Sequence, residues 1–243
     1  MDPLRFLTAA TPAPLPGLGG SATAAFAALP GLVSWVTLDP AFTGAAEGAR
    51  ITTVTPRSGA GGWTLANGST GPVAQMSGSW MGAKFTNLDN DLILSPSFTG
   101  TTYGVALVVY SDGSTDATKN RQAAAIEHSG SDKTITRAAG KWNGPGAEVT
   151  SALAASAGYQ LVICDLSGGV SSTRARDATI TTPVVTSAWA GIASARLALG
   201  GSPDGLNNSW HASVMEAWVF DNPILTSPAR LTALDDYFGR IYL

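Results

Sequence analysis

Residues 105–110 read Val105-Ala106-Leu107-Val108-Val109-Tyr110, and residues 161–164 read Leu161-Val162-Ile163-Cys164. Successive side chains of a strand point to opposite faces, so both runs offer apolar groups to each face. Such strands sit inside a two-layer sandwich rather than in a sheet with one face in water. The runs extend to Tyr103–Tyr110 and Tyr159–Leu166, and the same pattern repeats outward from them. Short β-rich segments at Leu32–Leu38, Arg50–Thr55, Met81–Phe85, Asp91–Leu94, Gln122–Glu127, Arg196–Leu199 and Trp210–Phe220 alternate with Gly, Asn, Asp, Ser and Pro. No useful helix-period segment interrupts them, which disfavours alternating βαβ folds. No fixed repeat is present, which disfavours propellers and solenoids. The expected class is all-β.

One helix is expected, and it closes the chain. Ser227 or Thr226 can cap it and Pro228 suits its first turn. Leu231, Leu234, Phe238 and Ile241 then recur on one face, with Asp235 and Asp236 turned away as a solvated side.

Composition narrows the function. Of 243 residues, 28 are Gly and 14 Pro, and only 13% are charged, about half the usual share. The length suits one large β domain. Fourteen Lys and Arg face 17 Asp and Glu with no basic cluster, which argues against a nucleic-acid partner. The single cysteine, Cys164, excludes an internal disulfide or a Cys-based zinc site. Its apolar run marks it as a small core side chain.

Residues 6–38 carry no charge, a length that could suggest a membrane span. Pro12, Pro14, Pro16 and Pro30 with Gly17, Gly19, Gly20 and Gly31 break that run, so membrane insertion is not expected. Asp2 and Pro3 also argue against a signal peptide. Residues 1–30 read instead as an extended, uncharged arm, and residues 31–243 as the folded domain. Solvated linkers are polar. This arm carries Leu4, Phe6, Leu7, Leu15, Leu18 and Phe26, which are expected to be assembly contacts on a partner.

The segment "GLVSWVTLD" at 31–39, "GAKFTNLDNDLIL" at 82–94, "RLALGG" at 196–201 and "WHASVMEAWVFDNPILTSPARLTALDDYFGRIY" at 210–242 follow one another in an order that resembles the laminin-G-like, concanavalin A-like jelly-roll superfamily. The likeness is to its bacterial and phage members, including spike, fibre and decoration proteins of phage or gene-transfer-agent-like particles. It implies a two-sheet antiparallel jelly-roll sandwich with a short C-terminal helix, and it makes Glu216 a buried structural carboxylate. Where many members have an Asn-Gly hairpin, this chain reads "SGGVSSTRARDAT" at 167–179. Residues 111–157 are too irregular to align.

The superfamily's glucanase branch uses two Glu on one strand, since one carboxylate attacks or activates water while the other donates a proton. Glu47, Glu127, Glu148 and Glu216 are all distant from one another, so that motif is absent. Two histidines, His128 and His211, with no G-x-S-x-G elbow give nucleophilic catalysis little support. No catalytic residue is assigned, and the chain is expected not to be an enzyme. Laminin-G-like domains often bind calcium. "NLDND" at 87–91 and "SPDGLNN" at 202–208 offer oxygens suited to it, but Asp and Asn serve equally as turn residues. No cofactor is expected, with calcium as the alternative these loops leave open.

The tryptophans carry the ligand expectation. Trp35, Trp210 and Trp218 fall on strands and read as core, whereas Trp63, Trp80, Trp142 and Trp189 fall in Gly/Ser/Asn-rich stretches. An exposed indole stacks on the apolar face of a sugar; the alternative is that these indoles plug the ends of the sandwich or sit at a subunit interface. Trp142 with Asn143 is the first choice for a carbohydrate contact, because the amide beside the indole could bond hydroxyls. Two functions stay open. One is a virion structural and adhesion protein that binds capsid, spike or fibre subunits through its arm, self-associates, and presents a lectin-like domain to host surface polysaccharide. The other is a secreted bacterial carbohydrate-binding module or glycan-active enzyme.

Overall fold

A computed structural model describes residues 25–26, 28–59, 61–66, 69–85, 91–112, 121–127, 133–138, 141–144, 147–149, 157–201 and 213–243. Two antiparallel sheets make an all-β jelly-roll sandwich. The strands are β1 (Leu32–Thr37), β2 (Ser58–Gly59), β3 (Thr64–Leu65), β4 (Val73–Ser77), β5 (Trp80–Lys84), β6 (Ile93–Leu94), β7 (Tyr103–Asp112), β8 (Arg121–Glu127), β9 (Lys133–Ala138), β10 (Lys141–Gly144), β11 (Ala147–Val149), β12 (Ala157–Ser167), β13 (Val170–Arg176), β14 (Val185–Ala188), β15 (Arg196–Leu199) and β16 (Ser213–Phe220). The first sheet runs β14-β13-β12-β7-β16-β1-β2, with the β4–β5 hairpin joined to β16 through β5. The second runs β11-β10-β9-β8-β15-β6-β3. Helix α1 (Pro40–Thr43) is a single capped turn after β1, and α2 (Pro228–Ile241) closes the chain.

The doubly apolar strands are explained by what covers each face of the first sheet. Val105, Leu107, Val109, Val162 and Cys164 face the second sheet in the main core. Ala106, Val108, Leu161 and Ile163 face the other way, against α2 residues Leu234, Tyr237 and Phe238. The sandwich is therefore three layers thick under the helix, and β7, β12 and β16 are buried on both sides. Ser227 caps α2 by accepting from the Arg230 N–H at 3.5 Å, with Pro228 in the first turn. Asp235 departs from the expected solvated face: Arg174 on β13 grips its carboxylate through two nitrogens at 3.1 and 2.9 Å, and Arg176 adds a contact at 3.2 Å.

Phe26 is also corrected. It is 3% exposed and packs its ring on Trp35 at 4.8 Å, Tyr237 at 5.3 Å and Trp218 at 5.8 Å. Arg230 of α2 donates to the Pro30 carbonyl from two nitrogens. The chain thus joins the domain at Phe26 rather than after residue 30, because an aromatic beside three others loses more water contact there than on any exposed arm. Leu4, Phe6, Leu7, Leu15 and Leu18 lie outside the described residues.

Other differences are local. Arg50–Thr55 forms no strand; it is tethered by an Arg50–Val73 bridge and the Ile51 N–H to the Pro72 carbonyl, while Thr52 and Thr53 face solvent. The irregular middle contains the β8–β11 meander. "SGGV" is itself a hairpin: Gly168 and Gly169 both have positive φ, 58° and 75°, which a tight primed turn requires. The turn pairs β12 with β13 in unbroken register from Leu161–Arg176 to Ser167–Val170. At the opposite margin, Gly59 lets β2 lie on β1; a Cβ there would overlap the Val33 carbonyl.

Candidate functional site

The tryptophans were expected to divide into core and ligand-facing groups, and burial redistributes them. Trp35 and Trp218 are fully buried and stacked at 5.6 Å; Trp210 lies outside the described residues. Trp142 is corrected. It sits on β10, not in a loop, is 0% exposed, and donates its indole N–H to Gln160 Oε1 at 2.9 Å across the sandwich. No sugar can stack on it. Asn143 follows on the same strand, its backbone paired with Glu148 and Thr136. Trp80 lies on β5, half-buried, and donates to the Ile241 carbonyl at 3.1 Å, so it braces the helix end. Trp189 is half-buried edge-on to Tyr103 at 6.3 Å.

Trp63 lines an open cleft. The cleft, about 340 Å³, lies between Thr52, Thr53 and Val54 on one side and Trp63, Thr64 and Leu65 on the other. Trp63 is 4% exposed and forms the floor, held by its indole N–H to Ser34 Oγ at 2.9 Å. Thr52, Thr53 and Thr64 are exposed, and Thr53 Oγ1 donates to the Thr43 carbonyl at 3.3 Å. Val54 and Leu65 add apolar surface, and among the described residues no charged side chain lines the cleft. Three hydroxyls over an apolar floor match a neutral ligand that itself alternates hydroxyls and C–H faces. The sequence signal is Trp63; Thr52 and Thr53 fall in the expected Arg50–Thr55 strand, and Thr64 falls among turn residues.

A second cleft, about 350 Å³, is lined by Gly158, Tyr159, Gln160, Asp177, Ala178, Thr179, Tyr242 and Leu243. Its polar groups are already engaged: Tyr159 donates to the Ser77 carbonyl at 2.6 Å, and Asp177 Oδ1 accepts from Thr179 and Ile180. The buried Gln160 amide nitrogen has no hydrogen-bond partner.

Glu216 is fully buried and accepts from Trp35, Tyr237 and Tyr242 at 2.7, 2.7 and 2.5 Å. Burial raises its pKa, and the three donors pull against that rise. This is the structural carboxylate that the resemblance implied. Asp165 is pushed up to about 7 by burial, although the backbone N–H groups of Ile224 and Leu225 favour its ionised form. Burial pushes the Cys164 thiol up to about 12, so it is not a nucleophile at neutral pH. Asp91 gives its oxygens to Arg50 and Thr70 at 2.8 and 3.0 Å. Asn87 to Asn90 and Ser202 to Asn208, the other calcium candidates, lie outside the described residues, as do His128 and His211. Among the described residues no three His, Cys, Asp or Glu side chains gather as a metal site. No described helix is long and apolar enough to cross a membrane.

The sequence matches no protein-family model and no curated protein. Solved structures share the fold. A Trypanosoma rangeli sialidase in complex with sialic acid is similar at a TM-score of 0.52 and 10% identity, over 90% of this chain and 37% of that one. The enzymatically active domain of bacteriophage CBA120 tailspike protein 2 is similar at 0.50 and 13% identity, over 72% and 30%. Mouse laminin alpha1 domains LG4-5 overlap 52% of this chain at a TM-score of 0.39. The chain thus shares its fold with parts of the first two structures, and spans about a third of their length. The expectation that it is not an enzyme is corrected by these matches. The sialidase and the tailspike domain are enzymes by name, so an absent Glu pair does not separate this sandwich from catalytic chains.

Proposed function

We propose that this chain is the glycan-binding sandwich of a virion-associated protein of a phage or phage-like particle, of spike, fibre or decoration type, held to its particle by residues 1–24. The observation that carries the reading is the uncharged cleft in which Thr52, Thr53 and Thr64 surround the Trp63 floor. Hydroxyls bond a neutral polysaccharide without desolvating a charge, and the half-buried Val54 and Leu65 side chains offer apolar surface to the ring's C–H face. The uncharged, apolar arm suits a groove on a capsid, spike or fibre subunit better than it suits water. The tailspike and sialidase likenesses support a glycan-directed role at the level of fold alone. The second reading, a secreted bacterial glycan-binding or glycan-active protein, uses the same cleft.

Calorimetric titration against neutral bacterial surface polysaccharides tests the cleft. One shallow site predicts weak binding, on the order of millimolar to tens of micromolar. Removing the Thr52 and Thr64 hydroxyls together (T52A/T64A) is expected to weaken binding about tenfold or more with the melting temperature unchanged. Unaltered binding by the double variant overturns the site. Recovery of the chain in purified particles separates the virion reading from the secreted one.

A further inference from the structure

Among the described residues five strands end the two sheets: β14, β2 and β4 in the first, β11 and β3 in the second. The outer side of β4 is taken by residues 48–51, through the Gly48 N–H to the Ala74 carbonyl, the Ala74 N–H to the Ala49 carbonyl and the Arg50–Val73 bridge. Strands β2 and β3 are two residues each, and β11 is three residues with Glu148 at its centre. Short length and charge are the usual protections of a sheet edge. β14 has neither. It spans four residues, and no charged residue occurs from Ile180 to Ala195. Its only strand partner among the described residues is β13.

The surface beside this edge is the most apolar of the described residues. Of the four exposed large hydrophobic side chains, three lie here: Val170 at 43%, Ile180 at 36% and Val184 at 48%. Strand alternation puts Val184, Thr186 and Ala188 on one face, and Val170 sits directly opposite Ala188 in the β13–β14 register. Val185, of the other parity, turns inward to the main core. The outward strip is not among the residues packed against α2.

We propose that β14 is a self-association edge, pairing antiparallel with β14 of a second copy across a two-fold axis into one sheet that spans both subunits. The charge pattern selects a second copy as the occupant. In a two-fold antiparallel pair centred on Thr186, that residue faces its own counterpart, so any charge there would meet a like charge. Thr186 is neutral, as is every residue of the chain from Ile180 to Ala195. The same register sets Val184 against the partner subunit's Ala188, extending the apolar strip across the seam. Pro183 ends the pairing on one side because it has no N–H to give.

Sedimentation of the full chain at tens of micromolar is the test. The wild type is expected at twice the 24.7 kDa chain mass. Thr186→Lys places two ammonium groups face to face on an exposed position and is expected to give the monomer mass, with far-UV dichroism and melting of the monomer unchanged. L4D/F6D, which charges the arm, is expected to remain dimeric. A monomeric wild type, an odd-numbered oligomer, or a T186K variant that still dimerises overturns the proposal. Loss of the dimer in L4D/F6D but not in T186K also overturns it and assigns association to the arm.

Discussion

Trp35, on the strand that opens the sandwich, donates its indole N–H to Oε2 of Glu216, on the closing strand, at 2.7 Å. The other oxygen takes the hydroxyls of Tyr237 and Tyr242 from the C-terminal helix and its end. One carboxylate therefore ties three distant parts of the chain inside a site with no water access. Truncating it leaves three buried donors unmatched, each costing about 1–3 kcal/mol. Glu216→Ala is expected to lose roughly 4 kcal/mol, a fall in melting temperature of about 10 °C. Glu216→Gln, which keeps an acceptor, should lose less; thermal unfolding of the two variants checks the order.

Burial raises the pKa of both Asp165, to about 7, and Glu216. The folded state then holds protons that the unfolded chain releases near pH 4. Stability from these groups is complete below that pH and is lost as pH rises toward 7 and beyond, opposite in sign to acid denaturation by paired carboxylates. Urea unfolding across pH 4.5 to 8 is expected to show this decline, and Asp165→Asn should flatten its upper part. A wild-type profile that rises with pH would contradict it.

Phe26 belongs to the core beside Trp35, Trp218 and Tyr237. Phe26→Ala is expected to cost about 3–5 kcal/mol. Removing residues 1–22 should leave the melting temperature unchanged, whereas removing residues 1–30 should lower it by as much as the point substitution or more. Calorimetric melting of the three forms measures this.

Trp142 is fully enclosed and anchored to Gln160. Trp142→Ala is expected to destabilise by about 3–5 kcal/mol through the cavity it opens. At temperatures where the variant stays folded, its glycan affinity should equal that of the wild type. Selective loss of binding with unchanged melting would return this indole to the ligand surface.

Arg174 holds Asp235 in a two-point contact, and both side chains are largely shielded, at 11% and 23% exposure. A double-mutant cycle with Arg174→Ala and Asp235→Ala is expected to give a coupling of about 1 kcal/mol, toward the upper end for such pairs.

What could be read from the sequence alone was whatever short-range order dictates. The doubly apolar runs at 105–110 and 161–164 announced strands buried on both faces. The Ser227-Pro228 cap with the Leu234 and Phe238 stripe announced the helix that covers one of those faces. Alternation and capping are local, so they survive without knowledge of the rest of the chain. Burial of a particular side chain is not local. Trp142 and Trp63 sit among turn-forming residues, yet Gln160 and Ser34 reach them from other parts of the chain and close them in. β13 was hidden because its Ser171, Thr173 and Arg174 look like loop residues; they are buried only where β12, β14 and Asp235 supply their neighbours. Phe26 read as arm because its three aromatic neighbours come from β1, β16 and α2. The threonines of the cleft became a site only when residues 52–54 and 63–65 were brought face to face, a juxtaposition that tertiary packing alone creates.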